Sequence, residues 1–377
     1  MRIGIVIGRI GGVDGVALET EKWITVLQRL GHEIEIITGE LEADMDNVTM
    51  LPELAFCHPQ CERGQQDAFF AQELTEDDLL EGLRREAAYI EKELEKWMID
   101  KKIDVILTEN ATALPCHLQM GIALKDLLER TKIQAVAHDH DFSWERGDRY
   151  ATRYEKLAAI RDEYFPPRLP NLKHAVINTY CQQELKKRFG TETIVVPNVM
   201  DFEIPFGQMD DFNGDLPEVL GFSDDDIPLF QITRIVRRKG IETAIDLVHR
   251  LQDKRVKLYI TGPDKDMGQK YSAELKEQTK SLGLENQVFF VSEHFDNVRR
   301  TEGDKKIYSL ADGYAHCRAM TYFSTYEGFG NAFVEALVAK RPIFVNNYEP
   351  VYWPDIGSKG FKTVQIHDVQ LRSRFNI

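Results

Sequence analysis

The sequence predicts an α/β protein built as two doubly wound domains that face a cleft. Short apolar runs that read as strands alternate with helical runs through both halves of the chain, the pattern of parallel sheets covered by helices. The first such run, Arg2–Gly8, is rich in Ile and Val, as a strand buried on both faces must be. At 377 residues the chain is long enough for two domains that each bury a core.

After Arg2–Gly8 comes a turn with Gly11, Gly12 and Gly15, a helix Val16–Leu30 stopped by Gly31, and a strand Glu33–Thr38. The turn lacks the G-x-G-x-x-G spacing of a dinucleotide fingerprint, so its glycines serve either a tight turn or the approach of a ligand. Asn47–Phe70, interrupted by Pro52 and Pro59, reads as irregular. A charged helix Glu73–Met98, a strand Ile103–Thr108, a helix His117–Glu129 and a strand Gln134–Ala137 follow. The last of these ends in His138-Asp139-His140-Asp141, polar residues at the edge where open α/β sheets bind ligands. The stretch Phe142–Tyr150 leads into a helix that carries Arg153, and Pro166, Pro167 and Pro170 break the chain beyond it.

Strand Ala175–Asn178, helix Gln182–Phe189 and strand Thr193–Val196 complete a first domain over residues 1–201. Residues 202–228 are acidic, with Gly and Pro, and read as a linker. The second domain, residues 229–377, opens with strand Leu229–Thr233, a basic loop Arg234–Gly240 and a helix Ile241–Leu251. Strand Lys257–Thr261, helix Tyr271–Leu282, strand Val288–Val291, a short helix Lys305–Ala311 and strands Met320–Ser324 and Pro342–Val345 are expected after it.

The net charge of −15 argues against a nucleic-acid-binding protein, which needs a basic footprint. No apolar run approaches a membrane span and no signal-peptide pattern opens the chain, so a cytoplasmic protein is expected. Five Cys, an odd number, argue against a disulfide scaffold. Cys57-His58-Pro59-Gln60-Cys61 resembles half a metal site without a second half, so no metal is assigned.

The stretch that organises the chemistry is Ser324–Pro342, S-T-Y-E-G-F-G-N-A-F-V-E-A-L-V-A-K-R-P. Its glycines open an apolar-periodic helix whose first N–H groups and dipole suit an anion. Glu327 precedes that turn, and Glu335 is expected about two turns into the helix on the same side. Two carboxylates around an anion site fit the hydroxyls of a sugar and a ribose on either side of a diphosphate. Arg234 and Lys239, before Gly240, supply cations for that diphosphate or simply form a basic surface loop with Arg237 and Arg238. Arg146, Arg149 and Arg153 fall on one face if the segment is helical, and either greet an anionic acceptor or pair with Glu145, Asp148 and Glu155.

These residues resemble the Glu-x7-Glu signature of retaining GT-B glycosyltransferases, the group that includes sucrose-phosphate synthases and bacterial mannosyl- and glucosyltransferases. Gly31-His32-Glu33-Ile34, Pro197-Asn198 and Gly283-Leu284-Glu285-Asn286-Gln287-Val288 are similar to further pieces of that family, from the first strand to about Pro354. The resemblance implies a GT-B fold and hexosyl transfer from a nucleotide sugar (UDP-, GDP- or ADP-hexose) to a small hydroxyl acceptor, such as a sugar phosphate or a glycerate-type glycoside. It implies no required cofactor or metal, because Arg and Lys hold the diphosphate. It assigns Arg234, Lys239, Gly240 and the N–H groups of Phe329, Gly330 and Asn331 to the donor diphosphate, and Glu335 to the ribose. Glu327 and His138 would flank the transferred sugar, Gly11 and Gly12 the donor phosphates or acceptor, and Asn110 the acceptor.

The family usually continues with a helix that returns to the first domain; Arg372–Ile377 does not read as one, so a shortened second domain is expected. A nucleotide-sugar epimerase or hydrolase on the same fold, and a non-catalytic nucleotide-sugar binder, stay open as alternatives.

Overall fold

All strand pairs in the two large sheets are parallel. The computed structural model describes residues 1–12, 15–263, 268–296 and 298–366. The chain divides into two compact units, Met1–Asn198 and Val199–Ile377. The expected ending at Arg372–Ile377 lies outside the described residues.

The first unit opens with β1 (Arg2–Ile10), α1 (Gly15–Arg29), β2 (Glu33–Leu41) and β3 (Val48–Met50). β1 is buried almost throughout, with Ile3, Ile5 and Ile7 packing on one side of the sheet and Val6 on the other. The segment read as irregular contains real structure: a 3-10 turn Pro52–Leu54 and α2 (Pro59–Gln65), which runs into a π turn Gln66–Phe70. Both prolines sit in the first turn of their element, where the missing N–H has no helical partner to lose. His58 caps α2, its Nδ1 accepting from Gln60 N–H at 3.4 Å.

Then come α3 (Glu76–Asp100), β4 (Val105–Glu109), α4 (Leu118–Thr131) and β5 (Gln134–Asp139). α3 buries Leu79, Leu83, Ala87, Ile90, Leu94 and Trp97, a stripe at helical spacing. The unit ends with α5 (Glu155–Tyr164), β6 (Leu172–Val176), α6 (Thr179–Phe189) and β7 (Thr193–Val195). The sheet order is β3-β2-β1-β4-β5-β6-β7, so the winding reverses between β1 and β4.

The second unit contains α7 (Leu216–Leu220), β8 (Ile227–Gln231), α8 (Ile241–Leu251), β9 (Val256–Ile260), α9 (Gly268–Ser281) and β10 (Val288–Phe290). Three short strands, β11 (Phe295–Asp296), β12 (Arg300–Glu302) and β13 (Lys305–Ser309), form a small side sheet. β13 replaces the expected helix Lys305–Ala311. Gly303, at φ 61°, turns the chain so that Glu302 pairs with Lys305, and only then does α10 (Leu310–His316) begin. β14 (Ala319–Tyr322), β15 (Tyr326–Glu327), α11 (Asn331–Val338), β16 (Ile343–Val345), β17 (Glu349–Pro350) and β18 (Val364–Gln365) follow. The main sheet runs β10-β9-β8-β14-β16-β18, reversing between β8 and β14.

The stretch 202–228, read as a linker, packs into this unit. Leu216 is fully buried and Asn213 Nδ2 donates to Asp312 Oδ1 at 2.7 Å. Asp210 pairs with Arg299 at 2.7 Å and Asp215 with Lys306 at 2.9 Å. Asp226 pairs with Lys257 at 3.0 Å, and these three ion pairs together with buried Leu216 are why an acidic composition did not mark a free segment.

α4 is capped by His117, whose Nδ1 accepts from Met120 N–H at 3.1 Å while Nε2 donates to Glu53 O at 2.8 Å. Burial lowers this imidazole from an ordinary 6.5 to about 4. The folded chain therefore binds the proton less readily than the unfolded one, and stability falls as pH drops from 6.5 towards 4. A loss of about 3 kcal/mol over that window is expected from this group. Urea denaturation between pH 4 and 7 should show that His117→Asn, which keeps a capping acceptor, lacks this part of the slope.

Candidate functional site

In the second unit the loops that follow β8 and β14 diverge from the reversal point and are laced together. Thr325 N–H donates to Arg238 O at 2.8 Å. Gly240 has φ 60°, and a Cβ there would lie 2.2 Å from Phe323 O, so glycine is what allows the contact. Below it, Thr321 Oγ1 donates to Gln231 Oε1 at 2.7 Å, tying the strands' ends.

Glu327 lies at the centre, 6% exposed. Its Oε2 accepts from Arg238 Nη1 at 2.6 Å, and its Oε1 accepts from Ser324 Oγ at 2.7 Å and from Lys239 Nζ. Burial pushes the Glu327 carboxyl up, but the Lys239 and Arg238 charges outweigh it and hold it below the usual carboxylate range. Burial lowers the Lys239 ammonium against the pull of the same carboxylate. Lys239 also sits 5.4 Å from the centre of the Tyr322 ring. Arg234 is exposed, near enough for its charge to weigh on Lys239. Arg238, set aside in the sequence as surface, is thus the arginine that touches Glu327.

Glu327 and Glu335 are not carried on one helix. Gly330 has φ 111°, outside the helical region, so α11 starts at Asn331 and Glu335 lies one turn in, not two. Tyr348 fixes the turn: its OH donates to Phe329 O at 3.0 Å, and a Cβ on Gly330 would meet its oxygen at 2.4 Å. Glu335 Oε2 accepts from Tyr314 OH at 2.8 Å. Burial keeps that phenol protonated, well above its ordinary range.

In the first unit, Gly11, at φ 81°, and Gly12 follow β1; a Cβ on Gly11 would lie 2.5 Å from Ala43 N, and one on Gly12 2.9 Å from Glu42 Oε2. Across the reversal, Glu109 closes β4 in register with His138 of β5. His138 is fully buried, and its Nδ1 bonds Glu109 Oε2 at 2.9 Å. Burial pushes this imidazole down and Glu109 more than reverses it, so its pKa is raised. His140 Nε2 lies 3.8 Å from the same Glu109 oxygen. Sequence reading missed Glu109, because only the strand register puts it opposite His138. Glu109, His138 and His140 bring ligand atoms within 4.8 Å of one another.

Asn110, at φ 49°, stitches the two strand ends: its Nδ2 donates to Asp141 Oδ1 at 3.1 Å and its Oδ1 accepts from His140 N–H at 3.1 Å. The three arginines do not share a helical face. The 3-10 segment Ser143–Tyr150 is kinked at Gly147, and Arg153 precedes α5. Arg146 pairs with Asp141, while exposed Arg149 and Arg153 lie over the rings of Tyr150 and Tyr154.

Residues 213–352 match the family described as glycosyl transferases group 1. Over 98% of its length the chain is 35% identical to the mannosylglucosylglycerate synthase of Thermotoga maritima, covering 85% of that protein. The chain belongs to the group 1 glycosyltransferases. The mannosylglucosylglycerate synthase of Petrotoga mobilis is 31% identical over 97% of this chain and 86% of that one. Among solved structures, the catalytic domain of starch synthase IV from Arabidopsis thaliana, bound to ADP and acarbose, superposes with a TM-score of 0.62 at 14% identity, covering 100% of this chain and 91% of that one. Anabaena HepE in complex with UDP-glucose gives 0.56 at 16% identity, over 100% and 89%. The fold of this glycosyltransferase is GT-B. No helix among the described residues is long and apolar enough to cross a membrane.

Glu327→Gln removes the anion that two neighbouring cations share. Because breaking a buried ion pair strands its partner, a loss of about 3 kcal/mol in unfolding free energy is expected by urea denaturation.

Proposed function

We propose that this glycosyltransferase moves a hexosyl group from a nucleotide sugar to a hydroxyl of a small, anionic, glycerate-type glycoside, with retention at the anomeric carbon. The observation that carries the reading is the Lys239–Glu327–Arg238 cluster beside the glycine-lined start of α11, at the reversal of a parallel sheet. Such a reversal is where open α/β sheets take their ligands. The names of the two relatives, both mannosylglucosylglycerate synthases, support mannose as the sugar and glucosylglycerate as the acceptor.

In this reading the donor is held by the second unit. Lys239, Arg234 and the N–H groups of Phe329, Gly330 and Asn331 receive the diphosphate, with Gly240 allowing the close approach. Glu335, aligned by Tyr314, takes the ribose hydroxyls, and Glu327 the hydroxyls of the transferred sugar. The bond from the anomeric carbon to the phosphate oxygen breaks, and one from that carbon to the acceptor oxygen forms. The acceptor's proton leaves with the diphosphate. Charge grows on the leaving group, and fixed cations and N–H donors stabilise it without reorganising water. Glu327 then shares Lys239 with the diphosphate, which keeps the ammonium aimed. On the first unit, Asn110 and the Gly11-Gly12 turn meet the acceptor, and Arg146, Arg149 and Arg153 draw in its carboxylate. His138 serves as the imidazole of the ligand-binding strand edge.

The test is product mass after incubation with GDP-, UDP- and ADP-hexoses and glucosylglycerate. The reading expects a product one hexose heavier than the acceptor; free sugar or an epimer instead would refute it. Calorimetry on the best donor should show Lys239→Ala and Glu335→Ala each binding about 10- to 100-fold more weakly, the worth of a charged hydrogen bond. Unchanged affinity in both would remove the site assignment.

A further inference from the structure

Glu109, His138 and His140 are 1%, 0% and 7% exposed, on adjacent strand ends of the first unit. Their ligand atoms converge: His138 Nδ1 and Glu109 Oε2 are 2.9 Å apart, and His140 Nε2 and Glu109 Oε2 are 3.8 Å apart. Among the described residues, Glu109 Oε1, His138 Nε2 and His140 Nε2 are buried without a hydrogen-bond partner. Unpaired buried polar atoms are costly, and those of Glu109 and His140 lie where one bound ion would answer both. Charge gives the same indication. Among the described residues, the ion pairs of Glu109 are with these two imidazoles, and no Lys or Arg neutralises it. The nearby Glu19 adds a second negative charge, which Lys22 takes up at 2.9 Å.

We propose that Glu109, His138 and His140 bind a divalent metal ion of borderline softness, with Zn²⁺ the best match. Two imidazole nitrogens and one carboxylate oxygen make a three-ligand set that such ions accept with a position to spare. The ion answers the charge of Glu109 and engages the nitrogen of His140. Coordination through His138 Nδ1 leaves the ring proton on Nε2, which fixes that imidazole as a donor. The surroundings hold the ligands in place. Asn110 Oδ1 accepts the His140 N–H, Asn110 N–H donates to His138 O at 2.9 Å, and the Trp23 ring packs 4.7 Å from the His138 ring. Backing of this kind is what metal sites use to orient their ligands. The site shares His138 with the proposed function, but its test reads metal uptake and does not depend on transfer.

The experiment is a titration of the full chain, stripped with a chelator, first with Co²⁺ and then with Zn²⁺. One equivalent of Co²⁺ should bind with visible d–d bands, and Zn²⁺ should displace it. Glu109→Gln, His138→Asn and His140→Asn should each bind at least about 10-fold more weakly. Circular dichroism identifies which variants are folded, and His58→Asn, outside the cluster, should bind like the parent. Failure of the parent to take up one equivalent overturns the proposal, as does undiminished binding in every folded cluster variant. A parent that binds no metal while His138 titrates as an ordinary imidazolium by NMR would mean that a proton balances Glu109 instead.

Discussion

Parallel pairing is the constraint from which the rest follows. A parallel strand cannot be reached by a hairpin, so the chain must cross over and re-enter each strand from the same end. All the C-terminal strand ends of a sheet then lie along one edge. Where the winding reverses, the two outgoing loops turn apart and leave room between them. Each unit has one such reversal, between β1 and β4 in the first and between β8 and β14 in the second. Gly11, Glu109 and Asn110 flank the first, Arg238, Lys239 and Glu327 the second. The residues with chemistry are therefore gathered by topology before any of them interacts with another.

What they do there is set by burial. Lys239 and Glu327 face each other with little water, where attraction is strong and a missing partner is expensive. The exposed arginines of the first unit behave differently. Arg149 and Arg153 lie over aromatic rings with their charge in solvent, a weaker and more adaptable arrangement. One unit holds its charges in a buried cluster, and the other lays exposed ones over aromatic rings.

Much of this architecture was legible in the chain. Ile- and Val-rich runs marked the buried strands, and the bounds read for α8, Ile241–Leu251, coincide with the helix. The failures have local causes. Lys305–Ala311 reads as a helix because Ile307 and Leu310 fit its spacing, while Arg300–Glu302, the strand partner of Lys305–Ser309, is exposed and polar and gives no apolar signal. Pro52 and Pro59 were read as breakers although each begins a helical turn. Glu335 was set too deep because Gly330 delays the start of α11. For the site, the residue types were readable but not the partnerships. Four cations within six residues left open which one reaches Glu327, and the bend at Gly240 brings Arg238 and Lys239 to it. Glu109 and His138 are 29 residues apart and meet only through strand register.

The acidic stretch after Asn198 has a practical bearing on dissecting the chain. A fragment started at Leu229 would cut β8 short, discard α7, and take away the side chain that Asp312 receives from Asn213. Arg299 would keep only one of its two carboxylates. The natural seam lies some thirty residues upstream, near Val199, and the intervening segment travels with the carboxy-terminal half as part of its packed body.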